Sequence, residues 1–166
     1  MDGIIIMGDF DSFVQKFVTL LSQQFSLKDL GQLSYFLGVE VTPNTHGLLL
    51  SQRRYIMDIL ARTKILEAKH VLTPLPTTPS ITLNFGSPLS DPSEYRAIVG
   101  SLHYLLFTRP DIAFAINRLS QFMHRPTADH WALVKRLLRY LGGSINDDIL
   151  LYRDSPFSLH AFSDAD

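Results

Sequence analysis

The sequence predicts an α+β fold in which a strand, a helix and an antiparallel hairpin precede three helices and a terminal β-hairpin. Apolar residues make up 46% of the 166 residues and aromatic residues 11%, enough to bury a core. Short β-branched runs bounded by Gly or Pro alternate with segments of helical spacing. Residues 64–92 contain five prolines, which exclude a continuous helix and indicate an extended connector.

The segment before the connector, residues 1–63, begins with a predicted buried strand at Ile4–Met7. A helix follows from Asp11 or Ser12 to about Phe25, because its apolar residues keep the spacing of one helical face.

Two strands are then predicted at residues 33–41 and 47–51, with residues 42–46 as the hairpin loop. A short amphipathic helix at residues 52–63 completes this part of the chain.

Three helices are predicted within residues 93–145, the first over residues 93–107. Gly100 lies inside it and indicates close backbone packing. The second helix opens at Pro110 and stops before Pro126.

Thr127 caps the third helix, which ends at Gly142-Gly143. Residues 146–166 are predicted to form a terminal hairpin with strands at 149–152 and 158–163.

Composition excludes several classes of protein. The chain has no cysteine, hence no disulfide, cysteine nucleophile or thiolate zinc site. No apolar run reaches the roughly 18 to 20 residues of a membrane helix, and no basic leader precedes the first apolar run. We expect an intracellular protein that is not secreted, in a compartment the sequence does not specify.

Charge is distributed unevenly. Residues 52–141 carry twelve Lys/Arg against six Asp/Glu, whereas residues 1–51 and 142–166 are both acidic. A basic middle is compatible with a surface that binds a polyanion, and equally with ordinary solvated helix faces.

A set of short phrases carries a resemblance to a known family. They are Lys28-Asp29-Leu30-Gly31, Tyr35-Phe36-Leu37-Gly38-Val39-Glu40-Val41, Gly47-Leu48-Leu49-Leu50-Ser51-Gln52, Thr73-Pro74-Leu75-Pro76, Tyr95-Arg96, Ile98-Val99-Gly100, Thr108-Arg109-Pro110-Asp111-Ile112, Arg139-Tyr140-Leu141 and Ser163-Asp164-Ala165-Asp166. Because these phrases occur in this order and at this spacing, the chain resembles a piece of a copia-type LTR-retrotransposon Pol polyprotein, the end of the reverse transcriptase running into RNase H. Similar fragments occur among retrotransposon-derived open reading frames of plant organellar genomes.

The resemblance implies an organisation. Residues 1–63 would be the C-terminal part of a reverse transcriptase palm, 64–92 a connector, 93–145 a helical thumb or connection region, and 146–166 the truncated start of an RNase H domain.

The resemblance also implies two incomplete metal sites. Asp2 stands at the first carboxylate of the polymerase pair, and Gly3 replaces the second. Asp164 matches the first RNase H carboxylate. Asp2 and Asp164 would hold Mg²⁺ only in an intact protein, because phosphoryl transfer requires several carboxylates around its metal ions. We therefore expect no metal and no catalysis from this chain alone.

Residues that hold RNA or DNA template-primer are implied as well. The hairpin Phe36-Leu37-Gly38 resembles the primer grip, where Gly38 would permit close backbone approach. The alternative is a simple β-hairpin packed on the palm, with Phe36 in the core. Lys135, Arg136 and Arg139 could contact phosphates, and a solvated helix face is the alternative for this trio. Other basic candidates in the same helical region are Arg96, Arg109, Arg118 and Arg125.

The sequence thus predicts a reverse transcriptase fragment that is inactive alone and takes no small-molecule substrate. The alternatives are a non-catalytic nucleic-acid-binding module and a folded remnant without function. An uncovered palm surface would favour self-association. The histidines, His130 among them, show no metal-ligand spacing, and Trp131 is expected in the core.

Overall fold

A computed structural model describes residues 4–77, 82, 86–156 and 158 and confirms a mixed α+β fold. Its elements in chain order are α1 (Asp11–Gln24), β1 (Tyr35–Phe36), β2 (Val39–Asn44), β3 (Gly47–Ser51), α2 (Arg53–Arg62), α3 (Ser93–His103), a 3-10 segment (Tyr104–Phe107), a second 3-10 segment (Pro110–Ile112), α4 (Ala113–Ser120), α5 (Ala128–Gly143) and β4 (Ile149–Tyr152). None of the helices in these ranges is long and apolar enough to cross a membrane.

The four strands form one antiparallel sheet in the order β1-β2-β3-β4. Strand β4 occupies the predicted range, but its observed partner is β3, with Leu48 opposite Leu151. It therefore extends the sheet formed by β1, β2 and β3, a pairing that the sequence did not indicate, and the terminal hairpin itself stays a prediction. The second strand of that hairpin, at 158–163, lies outside the described residues except for Ser158.

The hairpin between β2 and β3 is tighter than predicted. Strand β2 continues to Asn44, which pairs with Gly47, so the loop is only Thr45-His46. The Asn44 side-chain oxygen accepts hydrogen bonds of 2.8 Å from the backbone N–H groups of both His46 and Gly47. The sequence predicts Pro43 in the loop, but in the structure Pro43 belongs to β2 and pairs with Leu48 of β3. Strand β1 pairs with β2 only at Val39 and Glu40, so Pro43, which has no N–H to donate, lies outside the β1–β2 pairing.

The predicted strand at Ile4–Met7 is wrong. These residues pair with no strand in the described part of the chain, and Met7 is 85% exposed. A β-branched run forms a strand only where a neighbouring strand accepts its hydrogen bonds. Helix α1 forms within a residue of its predicted bounds, but none of its residues is buried.

The hydrophobic core lies among the helices. Buried side chains come from α2, α3, the two 3-10 segments, α4 and α5, and the fully enclosed ones include Tyr95, Leu102, Leu105, Ile112, Ile116, Leu119, Leu137, Leu138 and Leu141. Helix α2 contributes Ile56, Ile59 and Leu60 to this core, although it precedes the connector. One core thus includes helices from both sides of the connector, and the four-part division remains a prediction.

The first two helices after the connector are shorter than predicted. The first changes to 3-10 geometry after His103, and the second begins as a 3-10 turn at Pro110 before α4. The expectation of close packing at Gly100 is wrong, because Gly100 is exposed and a Cβ atom there would have no neighbour within 4 Å. Helix α5 begins after Thr127 and ends at Gly143, as predicted.

Candidate nucleic-acid interface

A strained two-residue turn joins β1 to β2. Phe36 pairs with Val39, so Leu37 and Gly38 alone make the turn, with φ angles of 47° and 82°. Two positive φ values are the geometry of the type I′ hairpin turn, which Asn-Gly adopts readily. Leucine in this conformation costs roughly 1–2 kcal/mol, because its Cβ crowds the following carbonyl oxygen. Leu37 is nevertheless 62% exposed, so burial of its side chain does not offset this cost.

Gln52 lies behind this turn. It precedes α2, is only 2% exposed, and accepts a 2.8 Å hydrogen bond at Oε1 from the Thr108 hydroxyl. Its Nε2 atom is buried and has no partner among the described residues. A Cβ atom on Gly38 would lie 3.9 Å from this Nε2, an ordinary contact. The positive φ of Gly38 is by itself a reason for glycine at this position. The close approach of a primer strand to its backbone stays a prediction.

The basic trio of α5 does not act as one free surface. Arg136 donates through Nη2 to the Thr73 hydroxyl at 2.8 Å, and Arg139 donates through Nε to the Lys69 carbonyl at 2.6 Å. Both guanidinium groups thereby hold the connector against α5. Lys135 is exposed, with its ammonium 5.7 Å from the centre of the Trp131 ring. Lys135 is the member of the trio whose geometry best suits phosphate contact.

Comparison with known proteins establishes the family. A family described as reverse transcriptase (RNA-dependent DNA polymerase) matches residues 1–77. Over all 166 residues, the chain is 53% identical to the retrovirus-related Pol polyprotein from transposon RE2 of Arabidopsis thaliana. It is also 39% identical to the uncharacterized mitochondrial protein AtMg00810 of the same plant, and covers 69% of that protein. The chain belongs to the copia-type retrotransposon Pol family.

The coverage of these relatives is unequal. The chain spans 11% of the length of the RE2 polyprotein and 11% of its RE1 counterpart, to which it is also 53% identical. No solved structure matches the chain.

Arg109 has a structural role in this copia-type segment. Its side chain is 2% exposed and donates to both carboxylate oxygens of Asp111, at 2.9 and 2.7 Å. It also donates to the backbone carbonyl and the hydroxyl of Ser144, at 2.8 and 2.7 Å. The expectation that Arg109 contacts phosphate is corrected, because its donors are directed into the protein. The two hydrogen bonds from Arg109 to Ser144 join the start of the second 3-10 segment to the end of α5.

The electrostatics of Asp111 follow from this cluster. Partial burial alone would raise the pKa of Asp111. Hydrogen bonds from Arg109 and Tyr140, together with attraction to the guanidinium, outweigh burial and hold this pKa below its usual value. The Tyr140 hydroxyl donates to Asp111 at 2.9 Å. An ionised Asp111 thus completes a bridge between the second 3-10 segment and α5.

Two other arginines that the sequence offers as phosphate contacts, Arg96 and Arg118, also form hydrogen bonds within the protein. Arg96 donates to the carbonyls of Met123 and His124, at 2.8 and 3.2 Å, and Arg118 donates to the Gln121 side chain at 2.7 Å. Both arginines are still exposed to solvent, so their contact with phosphate stays a prediction.

His130 is a structural residue that the sequence did not reveal. It is fully buried and stacks on Phe122 with ring centres 4.1 Å apart. Its Nδ1 accepts from the Thr127 backbone N–H while its own backbone N–H donates to the Thr127 hydroxyl, which forms a capping box. Its other ring nitrogen lies 3.0 Å from the Thr82 carbonyl. The spacing Thr127-x-x-His130 could have indicated this capping box from the sequence, although the residue three positions after the cap is usually Glu or Gln.

The predicted carboxylate sites cannot be placed. Asp2, Gly3 and Asp164 all lie outside the described residues. Within the described ranges, no group of three or more His, Cys, Asp or Glu side chains is arranged to hold a metal ion. The roles of Asp2 and Asp164 as Mg²⁺ ligands therefore remain predictions.

Proposed function

We propose that this segment binds template-primer within a copia-type reverse transcriptase, with the Leu37–Gly38 turn against the primer strand. The observation that carries the proposal is the exposed Leu37 at a φ of 47°. Strained residues cluster at binding and catalytic sites, where function rather than stability selects the conformation. Here the side chain that causes the strain points its apolar surface to solvent.

The surroundings of the turn support this role. Gln52 and Thr108 connect the sheet to the helical core directly behind Gly38. The two residues would keep the turn in a fixed position when a strand presses on it. On α5, Lys135 would add a phosphate contact whose strength falls with salt.

We further propose that the chain supplies no polymerase or RNase H activity by itself. Gly3 has no side chain to bind metal at the position that the family resemblance gives to a carboxylate. In an intact polyprotein Asp2 and Asp164 would be ligands for Mg²⁺, which prefers oxygen donors and would stabilise charge on the reacting phosphate. Purified chain should therefore extend no primer with Mg²⁺ present, and measurable extension would refute this part of the proposal.

Binding is tested with a labelled RNA–DNA hybrid and the full chain. The parent should bind, and Leu37→Asn should bind more weakly, because asparagine keeps the turn but removes the exposed apolar side chain. Equal affinity of the two proteins would exclude contact through Leu37. A functionless remnant would bind in neither form.

Self-association is a second proposal and rests on α1. This helix buries no residue, and Phe13, Phe17 and Leu20 are at least half exposed along it. Apolar patches of this kind are normally covered by another surface. Sedimentation should show a concentration-dependent dimer, and the double variant Phe13→Ser with Phe17→Ser should shift it to monomer. A parent chain that remains monomeric would contradict the proposal.

A further inference from the structure

The end of the connector, residues 86–89, lies against the start of α5. The Leu89 N–H donates to the Pro126 carbonyl at 3.0 Å, and the Ala128 N–H donates to the Ser87 carbonyl at 2.9 Å. We call these two hydrogen bonds the connector contact. It is formed by backbone groups alone, and is therefore distinct from the two arginine side chains that hold the earlier part of the connector to α5.

The His130 ring bonds to both sides of this contact. Its Nδ1 lies 3.2 Å from the Thr127 backbone N–H, and its Nε2 lies 3.0 Å from the Thr82 carbonyl of the connector. A backbone N–H only donates and a carbonyl only accepts, so the ring is neutral and carries its one proton on Nε2. A second proton, on Nδ1, would face the Thr127 N–H and remove its acceptor. The capping box and the connector contact thus both require the neutral ring.

The surroundings of the imidazole do not favour a positive charge. The ring is fully buried against Phe122, and burial disfavours the charged form of any histidine. Both ring nitrogens face backbone groups, so neither is bonded to a carboxylate.

The charged groups on the three segments that pack around the ring are few. Residues 82–89 of the connector have no charged side chain. On α5, the Asp129 carboxylate lies against Gly86 of the connector, where a Cβ atom would overlap one of its oxygens. The segment that carries Phe122 contributes Arg118, His124 and Arg125. Three of these four groups are basic or become positive in acid, so they do not offset a second proton on the ring.

We propose that His130 is a pH switch, which holds the end of the connector on α5 while it is neutral and releases it in acid. Only the released state, in which the ring reaches water, takes up the second proton. A solvated histidine does so near pH 6.5. The connector contact is therefore complete well above this pH, and the released state gains population as the pH falls below it. The inference does not depend on nucleic-acid binding.

Amide hydrogen exchange of the full chain, followed by NMR, tests the switch. The protection factors of the Leu89 and Ala128 amides, corrected for the intrinsic exchange rate at each pH, report opening of the connector contact. They should fall about tenfold from about pH 7.5 to about pH 5.5, because uptake of one proton near pH 6.5 multiplies the open population by this factor. At both pH values they should remain below the protection factor of Leu138, a buried residue of α5, because release is local. Equal protection of all three amides would show that the contact opens only with the whole fold, and would overturn the inference.

His130→Gln separates titration of the ring from its structural role. Glutamine is a usual residue at this position of a capping box, and its side-chain oxygen accepts from the Thr127 N–H without titrating. Protection of Leu89 and Ala128 should therefore be the same at the two pH values. His124→Gln removes an exposed histidine close in sequence, and this control should keep the tenfold fall. A fall that persists in His130→Gln, or no fall in the parent, would overturn the inference.

The ring of the unmodified protein provides a measurement that needs no variant. The NMR shifts of its two nitrogens should show a proton on Nε2 and none on Nδ1 near neutrality. In acid, the doubly protonated ring should appear together with the loss of protection at Leu89 and Ala128. A proton on Nδ1 near neutrality, or a doubly protonated ring while both amides stay protected, would contradict the proposed switch.

Discussion

The side chain of Gln52 accepts a hydrogen bond from the Thr108 hydroxyl at 2.8 Å, between two buried residues 56 positions apart in the sequence. Gln52 directly follows β3, and Thr108 joins the two 3-10 segments. This bond therefore connects the sheet that carries the Leu37–Gly38 turn to the helical core. We expect the position of the turn to depend on this bond.

Replacing Thr108 with valine should destabilise the protein by about 1–3 kcal/mol, because Gln52 Oε1 would lose its donor while remaining buried. The free energy of unfolding is measured by denaturant titration. Thr108→Ser keeps the hydroxyl and is the control, so it should cost clearly less. If valine and serine had equal effects, the bond would make no net contribution.

Leu37→Asn should stabilise the protein by about 1 kcal/mol, because asparagine tolerates the positive φ that leucine resists. The same titration measures this gain. A stabilised variant with weaker hybrid binding would show that the strain is retained for binding. A destabilised variant would instead show that Leu37 contributes to folding.

Local sequence patterns predicted those elements whose stability is local. The apolar spacing of α1 and α2 and the Thr127 cap of α5 located these helices within about a residue, because caps and helical periodicity involve neighbours along the chain. Pairing of β4 with β3 brings together residues about a hundred positions apart, and neither strand specifies its partner. The apolar run at Ile4–Met7 has the composition of a strand, but it pairs with no strand among the residues that the structure describes.

The candidate site was predictable only in part. The family resemblance indicated the turn at Phe36–Gly38, but a leucine gives no sign of a positive φ. The sequence offers Arg109 as a phosphate contact, because nothing local shows that its guanidinium is buried against Asp111 and against Ser144 far along the chain. Among the described residues the buried amide nitrogen of Gln52 has no hydrogen-bond partner, a feature of packing between distant segments that no local pattern encodes.

The Arg109–Asp111 pair should make stability sensitive to acid. Since the pKa of Asp111 is lowered in the folded state, its contribution is complete above the unfolded pKa of about 3.9 and is lost as the pH falls through the lower folded value. Asp111→Asn should melt at a lower temperature than the parent near neutrality, and the difference should shrink below about pH 4. Tyr140→Phe removes one hydrogen bond to the carboxylate and should show a smaller change over the same range. A difference in melting temperature that is constant with pH would contradict this account.

The most direct test of template-primer binding is the salt dependence of affinity for a labelled RNA–DNA hybrid. Lys135→Gln is compared with Lys16→Gln, which removes the same charge from the exposed face of α1. We expect the parent to bind, with log affinity falling linearly with log salt, and Lys135→Gln to reduce the slope by about one. Lys16→Gln should leave the slope unchanged. No binding at low salt, or equal slopes for the two variants, would contradict the account.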